Sequence, residues 1–137
     1  MKNKINALIV DDTELVHEPI KKFLEKFVFP DFEVITDNAY NTEQAKRFVF
    51  IKIYDIIMLD GDVGDKWGYE IISYIREHDE NVTIISSSNY YGFNEQNINA
   101  GANGAIDKTY LYEWNDEGTI FRSQKGKMVR KIFDSKK

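Results

Sequence analysis

The chain has 137 residues, of which 42% are hydrophobic and 30% are charged, and it carries a formal net charge of −5 and no cysteine. This length suits one ordinary domain with its own core, the composition is typical of a globular protein, and the lack of cysteine excludes disulfides and thiolate metal sites. No apolar run approaches the roughly 18 residues that span a bilayer, and the run after Lys4 is too short for a signal peptide. We therefore expect residues 1–137 to form a single domain of a soluble cytoplasmic protein that does not contact a membrane.

The charge is unevenly distributed along the chain. Residues 118–137 contain seven lysines and arginines against one aspartate, so the other 117 residues carry a net charge of −11. An acidic body argues against broad nucleic-acid binding, and we expect no direct contact with DNA. The basic segment could dock on an acidic partner or a polyanion, although a solvated helix face with a charged tail is the simpler explanation.

Patterns typical of strands and helices alternate along the first half of the chain. Residues 5–10 form a nearly continuous apolar run, as in a strand buried on both faces. The apolar residues Val16, Ile20 and Phe23 then recur at helical spacing, with Pro19 in the first turn of the predicted helix. A strand at 32–36, a helix capped by Asn41 and a strand at 54–59 follow.

The second half continues the alternation less regularly. A glycine-rich loop at 61–68 leads into a helix that ends near His78, and residues 82–85 form the fourth predicted strand. Residues 89–100 offer few apolar side chains, so any helix there should be weakly held, and a turn at 100–104 precedes a short strand at 105–107. Residues 118–136 fit either one helix interrupted at Gly126 or a strand at 119–122 followed by a helix.

Five strands that alternate with helices predict right-handed βαβ units and a parallel α/β sheet covered on both faces. Polar residues stand at the ends of four apolar runs: Asp11 and Asp12, Asp60, Ser86 and Lys108. The ends of parallel strands lie along one edge, where open α/β sheets bind ligands. We therefore expect these side chains to meet in one small space.

Their chemistry suits a phosphoryl group on a divalent metal. Asp11, Asp12 and Asp60 are ligands of the kind that Mg²⁺ prefers. Asp60 also has the properties of a nucleophile, because a carboxylate can hold a phosphoryl group as a mixed anhydride. Lys108 supplies a positive charge and Ser86 a hydroxyl for phosphoryl oxygens. Each residue alone has an ordinary explanation as a cap, a turn or an exposed side chain; their order along the chain favours the site.

In this order the residues resemble the response-regulator receiver domain of bacterial two-component signalling, over about residues 4–110. Asp11 and Asp12 are similar to the acidic pair of that family, Asp60 to its phosphoacceptor and Lys108 to its lysine. Ser86 resembles its switch hydroxyl. Gly68 and the turn at 100–102 also match the family.

The resemblance implies a flavodoxin-like, doubly wound five-stranded parallel sheet of order 2-1-3-4-5. With Mg²⁺ bound, Asp60 would take a phosphoryl group from a histidine kinase or histidine phosphotransfer protein. Asp12 and Asp60 would bind the metal directly, Asp11 through water, and the backbone carbonyl of Asp62 would complete the protein ligands. Such a domain is a signalling protein that at most dephosphorylates itself, and it would act on a downstream protein target or as a relay.

The resemblance also implies how phosphorylation would be read out. Ser86 would move toward the phosphoryl group and reshape the face formed by the fourth helix, fifth strand and fifth helix. Two positions depart from the family: Thr109 follows the lysine in place of the usual proline, and Ala105 stands where the family has an aromatic switch residue.

Two other functions fit part of the pattern. Asp60 and Asp62 also match the opening motif of haloacid-dehalogenase-like phosphohydrolases, in which the second aspartate is the general acid and base. Those enzymes place their remaining acidic pair after the lysine, whereas Asp11 and Asp12 come before Asp60, which favours the receiver. The third alternative is a receiver-like interaction module that is not phosphorylated.

Several other side chains have simpler explanations. His17 and His78 are expected to be solvated histidines on helices. Trp67, Tyr90 and Tyr91 could form a recognition surface, but core packing is the default expectation for aromatic residues.

Overall fold

The structure, a computed structural model, describes residues 2–112 and 115–136. Residues 113, 114 and 137, which belong to the C-terminal region that the sequence left ambiguous, lie outside the described residues. A parallel five-stranded sheet runs through the molecule. Its strands are β1 (Lys4–Val10), β2 (Glu33–Ala39), β3 (Ile56–Leu59), β4 (Thr83–Ser88) and β5 (Gly104–Asp107). They lie in the order β2-β1-β3-β4-β5, as predicted.

Helices follow the strands in alternation. A short 3-10 turn (Glu14–Val16) precedes the first helix, which continues into a π-helical turn (Leu24–Val28), and another 3-10 turn (Lys108–Leu111) follows β5. The helices are α1 (His17–Phe23), α2 (Thr42–Ile51), α3 (Gly68–His78), α4 (Tyr91–Ala100) and α5 (Asp116–Ser135). No described helix is both long enough and apolar enough to cross a membrane.

Apolar side chains on both faces of the sheet build two cores. Along β1, Ile5 and Ile9 pack with α1 and α5, whereas Leu8 and Val10 point to the other face and pack with α2 and α3. This two-sided burial explains why the strand is a continuous apolar run rather than an alternating one. The expectation of a sheet covered on both faces is confirmed.

The structure extends the fourth strand beyond its predicted end. Pairing with Gly104–Asp107 of β5 continues β4 through three serines to Ser88, and all three serines are buried. The expected strand ended at residue 85 because the apolar run ends there. Backbone hydrogen bonds to β5, rather than side-chain hydrophobicity, hold the last three residues in the strand.

The C-terminal region, for which the sequence allowed two alternatives, forms one helix. α5 runs without interruption through Gly126, so there is no strand at 119–122. A Cβ at residue 126 would overlap with the backbone carbonyl of Phe27, so the glycine permits α5 to lie close against the end of the first helical segment. Asn115 caps the helix by accepting a hydrogen bond from the amide of Gly118.

Candidate functional site

The carboxyl ends of β1 and β3 bring three aspartates together. Asp11 and Asp12 follow β1, Asp60 follows β3, and one possible ligand atom from each lies within 4.8 Å of the others. Asp11 and Asp60 are buried, whereas Asp12 is exposed at the surface of the site. Such a set fits a hard divalent cation that keeps several waters, since oxygen ligands are available from one side and solvent from the other.

Lys108 reaches this acidic group from the end of β5. Its Nζ lies 2.8 Å from Asp11 Oδ2 and 3.3 Å from Asp60 Oδ2. Burial opposes the positive charge of Lys108, but its hydrogen bond with Asp11 and the charges of Asp11 and Asp60 outweigh that cost and raise its pKa above the ordinary value. The lysine is therefore a permanent cation between the two carboxylates.

The Asp60 carboxyl is held in one orientation and is reluctant to ionise. Its Oδ1 accepts a hydrogen bond from the backbone amide of Gly61 at 2.7 Å, while Oδ2 faces Lys108. Burial, with the negative charge of Asp11 as the next cause, raises the pKa of Asp60 to about 6. A cation bound beside Asp60 would offset both the burial of its carboxylate and the repulsion from Asp11. We therefore expect the site to bind a cation in addition to Lys108.

Asp11 is positioned by several hydrogen bonds, one of them from a histidine that we expected in solvent. Its Oδ1 accepts from the amide of Thr13 at 2.9 Å. His17 is only 6% exposed, and its Nε2 lies 2.8 Å from the Asp11 carbonyl oxygen while its Nδ1 lies 2.7 Å from Asn38 Oδ1. The prediction of a solvated His17 is wrong because the ring is hydrogen-bonded to the Asp11 carbonyl and the Asn38 side chain at the edge of the sheet. His78, in contrast, is exposed as expected.

The loop after β3 closes the opposite side of the site. Asp62 pairs with Trp67 in an isolated antiparallel bridge, and the Asp62 carboxylate accepts a hydrogen bond from the amide of Gly64 at 2.9 Å. Gly64 has a φ of 90° and lies against the Asp12 side chain. At Gly68 a Cβ would overlap with the carbonyl oxygen of Asp60. The glycine that opens α3 therefore allows that helix to begin directly against the acidic site.

The cleft above Asp60 is lined by a serine that the sequence did not single out. Its lining consists of Asp12, Asp60, Asp62, Ser88, Asn89, Tyr90, Phe93 and Lys108. Ser88 Oγ accepts a hydrogen bond from the amide of Tyr90 at 3.2 Å. The two-residue period of a strand places Ser86 and Ser88 on the same face of β4, and this signal was missed because the strand was expected to end at residue 85.

Ser86 does not line the cleft in the part of the chain that the structure describes. Its side chain is fully buried, and its Oγ is hydrogen-bonded to Asn94 and Asn97 of α4. A direct contact with a phosphoryl group on Asp60 would require the Ser86 hydroxyl to turn away from α4. Asn94 and Asn97 could not be identified from the sequence. The segment has few apolar residues, so its polar residues resemble ordinary surface residues.

Aromatic side chains surround the rim of the cleft. Phe93 packs against Trp67 and Tyr90, with ring centroids 5.4 and 5.5 Å apart. Trp67 is 44% exposed and Tyr90 68%, and Tyr91 is exposed as well. The default expectation of core packing is therefore wrong for Trp67, Tyr90 and Tyr91.

The 2-1-3-4-5 parallel sheet, with three aspartates and a lysine together at its carboxyl edge, is the arrangement that the resemblance to receiver domains implies. Residues 7–113 match the family model of the response regulator receiver domain. This match covers most of the chain, and the chain therefore belongs to the response regulator receiver domain family. The resemblance inferred from the sequence is confirmed.

A curated relative shows how much of a longer protein the chain matches. The chain is 26% identical over 106 residues to the DNA-binding transcriptional activator EvgA of Escherichia coli strain K12. The alignment covers 76% of this chain and 50% of that protein. The chain thus spans about half the length of the curated relatives it matches.

Solved structures share the fold. The receiver domain of the sensor histidine kinase PA1611 from Pseudomonas aeruginosa PAO1, with magnesium coordinated in its active site cleft, matches with a TM-score of 0.73 and 19% identity, covering 96% of this chain and 98% of that one. A response regulator protein from Burkholderia pseudomallei with a phosphorylated aspartic acid matches with a TM-score of 0.66 and 18% identity, covering 93% and 71%. At these identities the likeness concerns the fold alone.

Proposed function

We propose that residues 1–137 act as one receiver domain in which Asp60 accepts a phosphoryl group in the presence of Mg²⁺. The observation that carries the proposal is the position of the Asp60 carboxylate, which is buried, lies 3.3 Å from the Lys108 ammonium and is grouped with Asp11 and Asp12. A nucleophilic carboxylate, a cation for phosphoryl oxygens and carboxylates for a metal are the parts that aspartyl phosphorylation needs.

The donor set supports Mg²⁺ as the metal. Asp12 and Asp60 would bind it directly, Asp11 would bind through water, and the Asp62 backbone carbonyl would complete the protein ligands. The bound ion would supply positive charge that offsets the repulsion between the carboxylates and an incoming phosphoryl group. The magnesium in the active site cleft of the Pseudomonas receiver domain supports the choice of metal.

Phosphoryl transfer then follows from the chemistry of this chain's own residues. A carboxylate oxygen of Asp60 forms a bond to the phosphorus of a phosphohistidine, and the bond between phosphorus and the imidazole nitrogen breaks. The departing nitrogen keeps the electron pair and takes up a proton. The Gly61 amide holds Asp60 Oδ1, the Lys108 ammonium donates to a phosphoryl oxygen, and the Ser86 hydroxyl donates to another after it turns from α4.

The partners follow from the family and remain proposals for this chain. The phosphodonor would be a histidine kinase or a histidine phosphotransfer protein, and the output would be an altered contact with a downstream protein target. Receiver domains serve signalling, and we expect Asp60 to be phosphorylated and slowly dephosphorylated rather than to turn over phosphate esters.

The decisive experiment is incubation of the purified protein with Mg²⁺ and acetyl phosphate, followed by intact-mass measurement. We expect one phosphoryl adduct on the wild type and on Asp134→Asn, a control on the exposed face of α5, and none on Asp60→Asn. An unmodified wild type, or an undiminished adduct on Asp60→Asn, would refute the proposal. Rapid turnover of varied phosphate esters would favour the phosphohydrolase.

A further inference from the structure

Three polar side chains form a hydrogen-bonded cluster between β4 and α4. The Ser86 hydroxyl donates to Asn94 Oδ1 at 2.6 Å and accepts from Asn97 Nδ2 at 2.9 Å. Ser86 and Asn97 are almost completely buried, at 0% and 1% exposure. We call Ser86, Asn94 and Asn97 the α4 polar cluster. It places a hydroxyl needed by the proposed site in direct contact with the helix beside that site.

The neighbours of Asn94 fix the orientation of its carboxamide. Nδ2 donates to the backbone carbonyls of Ile106 at 3.1 Å and Ser88 at 3.3 Å. Backbone carbonyls can only accept, so the amide nitrogen must face them and Oδ1 must face Ser86. One side chain of α4 therefore connects the Ser86 hydroxyl of β4 to the backbone of β5.

The single hydrogen of the Ser86 hydroxyl sets up a competition. Ser86 can donate either to Asn94 Oδ1 or to a phosphoryl oxygen on Asp60, but not to both at once. If Ser86 turns to the phosphoryl group, Asn94 Oδ1 loses its donor in a partly buried place, and a polar atom left in that state is costly. We expect the carboxamide to take a new partner through a shift of the helix that carries it.

Other features of α4 make it easy to displace. Asn97 is the only fully buried residue of this helix, and the apolar Phe93 and Ala100 are half-buried, so apolar packing holds the helix weakly. Asn97 Oδ1 is itself buried without a hydrogen-bond partner among the described residues. On β5, Ala105 offers only a methyl group beside the groove that α4 borders. The hydrogen bonds of Asn94 therefore join α4 to both β4 and β5 where apolar packing is slight.

We propose that Asn94 is the positioning residue that transmits the state of Ser86 to α4 and β5. This inference rests on the proposed phosphorylation of Asp60. In the resting protein, Asn94 holds the Ser86 hydroxyl under α4; in the phosphorylated protein, the hydroxyl leaves and α4 moves relative to β5. The hydrogen bond between Ser86 and Asn94 stabilises only the resting state. By linkage, it makes phosphorylation less favourable by the same free energy.

The test compares Asn94→Leu with Asn99→Leu, which makes the same change at an exposed position of the same helix. The probe is beryllofluoride with Mg²⁺, a phosphoryl mimic that forms an adduct with aspartate. We expect Asn94→Leu to bind beryllofluoride about fivefold more tightly than the wild type, the factor that corresponds to about 1 kcal/mol for one opposing hydrogen bond, and Asn99→Leu to bind like the wild type.

Amide chemical shifts give the second readout. In the wild type and in Asn99→Leu, beryllofluoride should shift the backbone amides of α4 and β5 together. In Asn94→Leu, the shifts near Asp60 should remain, whereas those of α4 and β5 should fall to less than about half, because the connecting side chain is gone. Unchanged affinity together with undiminished α4 and β5 shifts would overturn the proposal.

A measurement on Ser86→Ala keeps the inference testable if Asn94→Leu does not fold. In the wild type the Asn94 side-chain amide resonances should move on addition of beryllofluoride, and in Ser86→Ala they should not. Equal movement in both proteins, or movement lost instead in Ser88→Ala, would overturn the inference. Failure of the wild type to form any adduct on Asp60 would refute the proposed function itself, so the two failures are distinguishable.

Discussion

The Lys108 ammonium donates a hydrogen bond to Asp11 Oδ2 at 2.8 Å, although β3 and β4 lie between the strands that these two residues follow. The side chain of Lys108 thus crosses the carboxyl edge of the sheet above Asp60. Both partners are buried, with side-chain exposures of 9% and 1%. Removal of the lysine would leave two carboxylates in a desolvated place without their counterion.

Lys108→Met should therefore destabilise the metal-free protein. We expect the free energy of unfolding to fall by about 3 kcal/mol near neutral pH, because breaking a buried ion pair leaves an uncompensated charge. Saturating Mg²⁺ should restore most of the loss by replacing the missing positive charge. Urea denaturation with and without Mg²⁺ measures both values. Lys127→Met, on the exposed side of α5, is the control, and an equal loss there would contradict the prediction.

Asp60→Asn should stabilise the metal-free protein in a pH-dependent way. The folded-state pKa of Asp60 is raised to about 6, so the folded protein holds this proton more tightly than the unfolded chain. Stability contributed by the protonated group is present below about pH 4 and is lost as pH rises through about 6. We expect the variant to gain about 2 kcal/mol over the wild type between about pH 4 and pH 7, measured by urea denaturation. If the free energy of unfolding rose equally at pH values of about 4 and 7, the raised pKa of Asp60 would not be the cause.

Asp12→Asn should weaken Mg²⁺ binding, whereas Asp62→Asn should not. In the proposed site Asp12 contributes a carboxylate ligand, so its loss should reduce affinity at least about tenfold. Asp62 is assigned only through its backbone carbonyl, which the substitution keeps, so its affinity should stay within about threefold. The Mg²⁺ dependence of the thermal unfolding midpoint reports both affinities. A larger loss for Asp62→Asn would move the ligand from the carbonyl to the side chain.

Two glycine substitutions should have opposite effects on stability. Gly126→Ala places a methyl group against the Phe27 carbonyl, so we expect a loss of about 2 kcal/mol or more. Gly92→Ala meets no atom within 4 Å, and the better helix propensity of alanine should stabilise the protein by about 0.5 kcal/mol. Thermal unfolding of the two variants provides the comparison. Stabilisation by Gly126→Ala would contradict the close packing of α5.

The carboxyl-edge residues could be predicted because strand hydrophobicity and polar strand ends are both visible in the sequence. Asp11, Asp12, Asp60 and Lys108 meet where the apolar runs indicated. The burial of His17 could not be predicted, because it depends on hydrogen bonds to the Asp11 carbonyl and to Asn38, residues that only the folded sheet brings together.

The remaining differences concern elements that are held by backbone or polar contacts. Ser88 lies in β4 because β5 pairs with it, and no apolar side chain marks that extension. The need for glycine at residue 126 depends on close contact with Phe27, which lies far earlier in the chain. The periodicity of a sequence indicates which apolar residues are buried, but it does not indicate backbone pairing or close backbone contacts.

The limited apolar packing of α4 has a consequence for the solubility of the protein. A helix that moves away from an apolar surface exposes that surface to water and to other proteins. The free-energy cost is about 25 cal/mol for each Å² of apolar surface exposed. Because Asn97 is the only fully buried residue of α4 and Phe93 and Ala100 are half-buried, movement of this helix would uncover amide groups together with a limited apolar area. If α4 moves as proposed, the change in this face exposes less hydrocarbon than movement of an apolar helix would, and we expect a partner to recognise the new arrangement of α4 and β5.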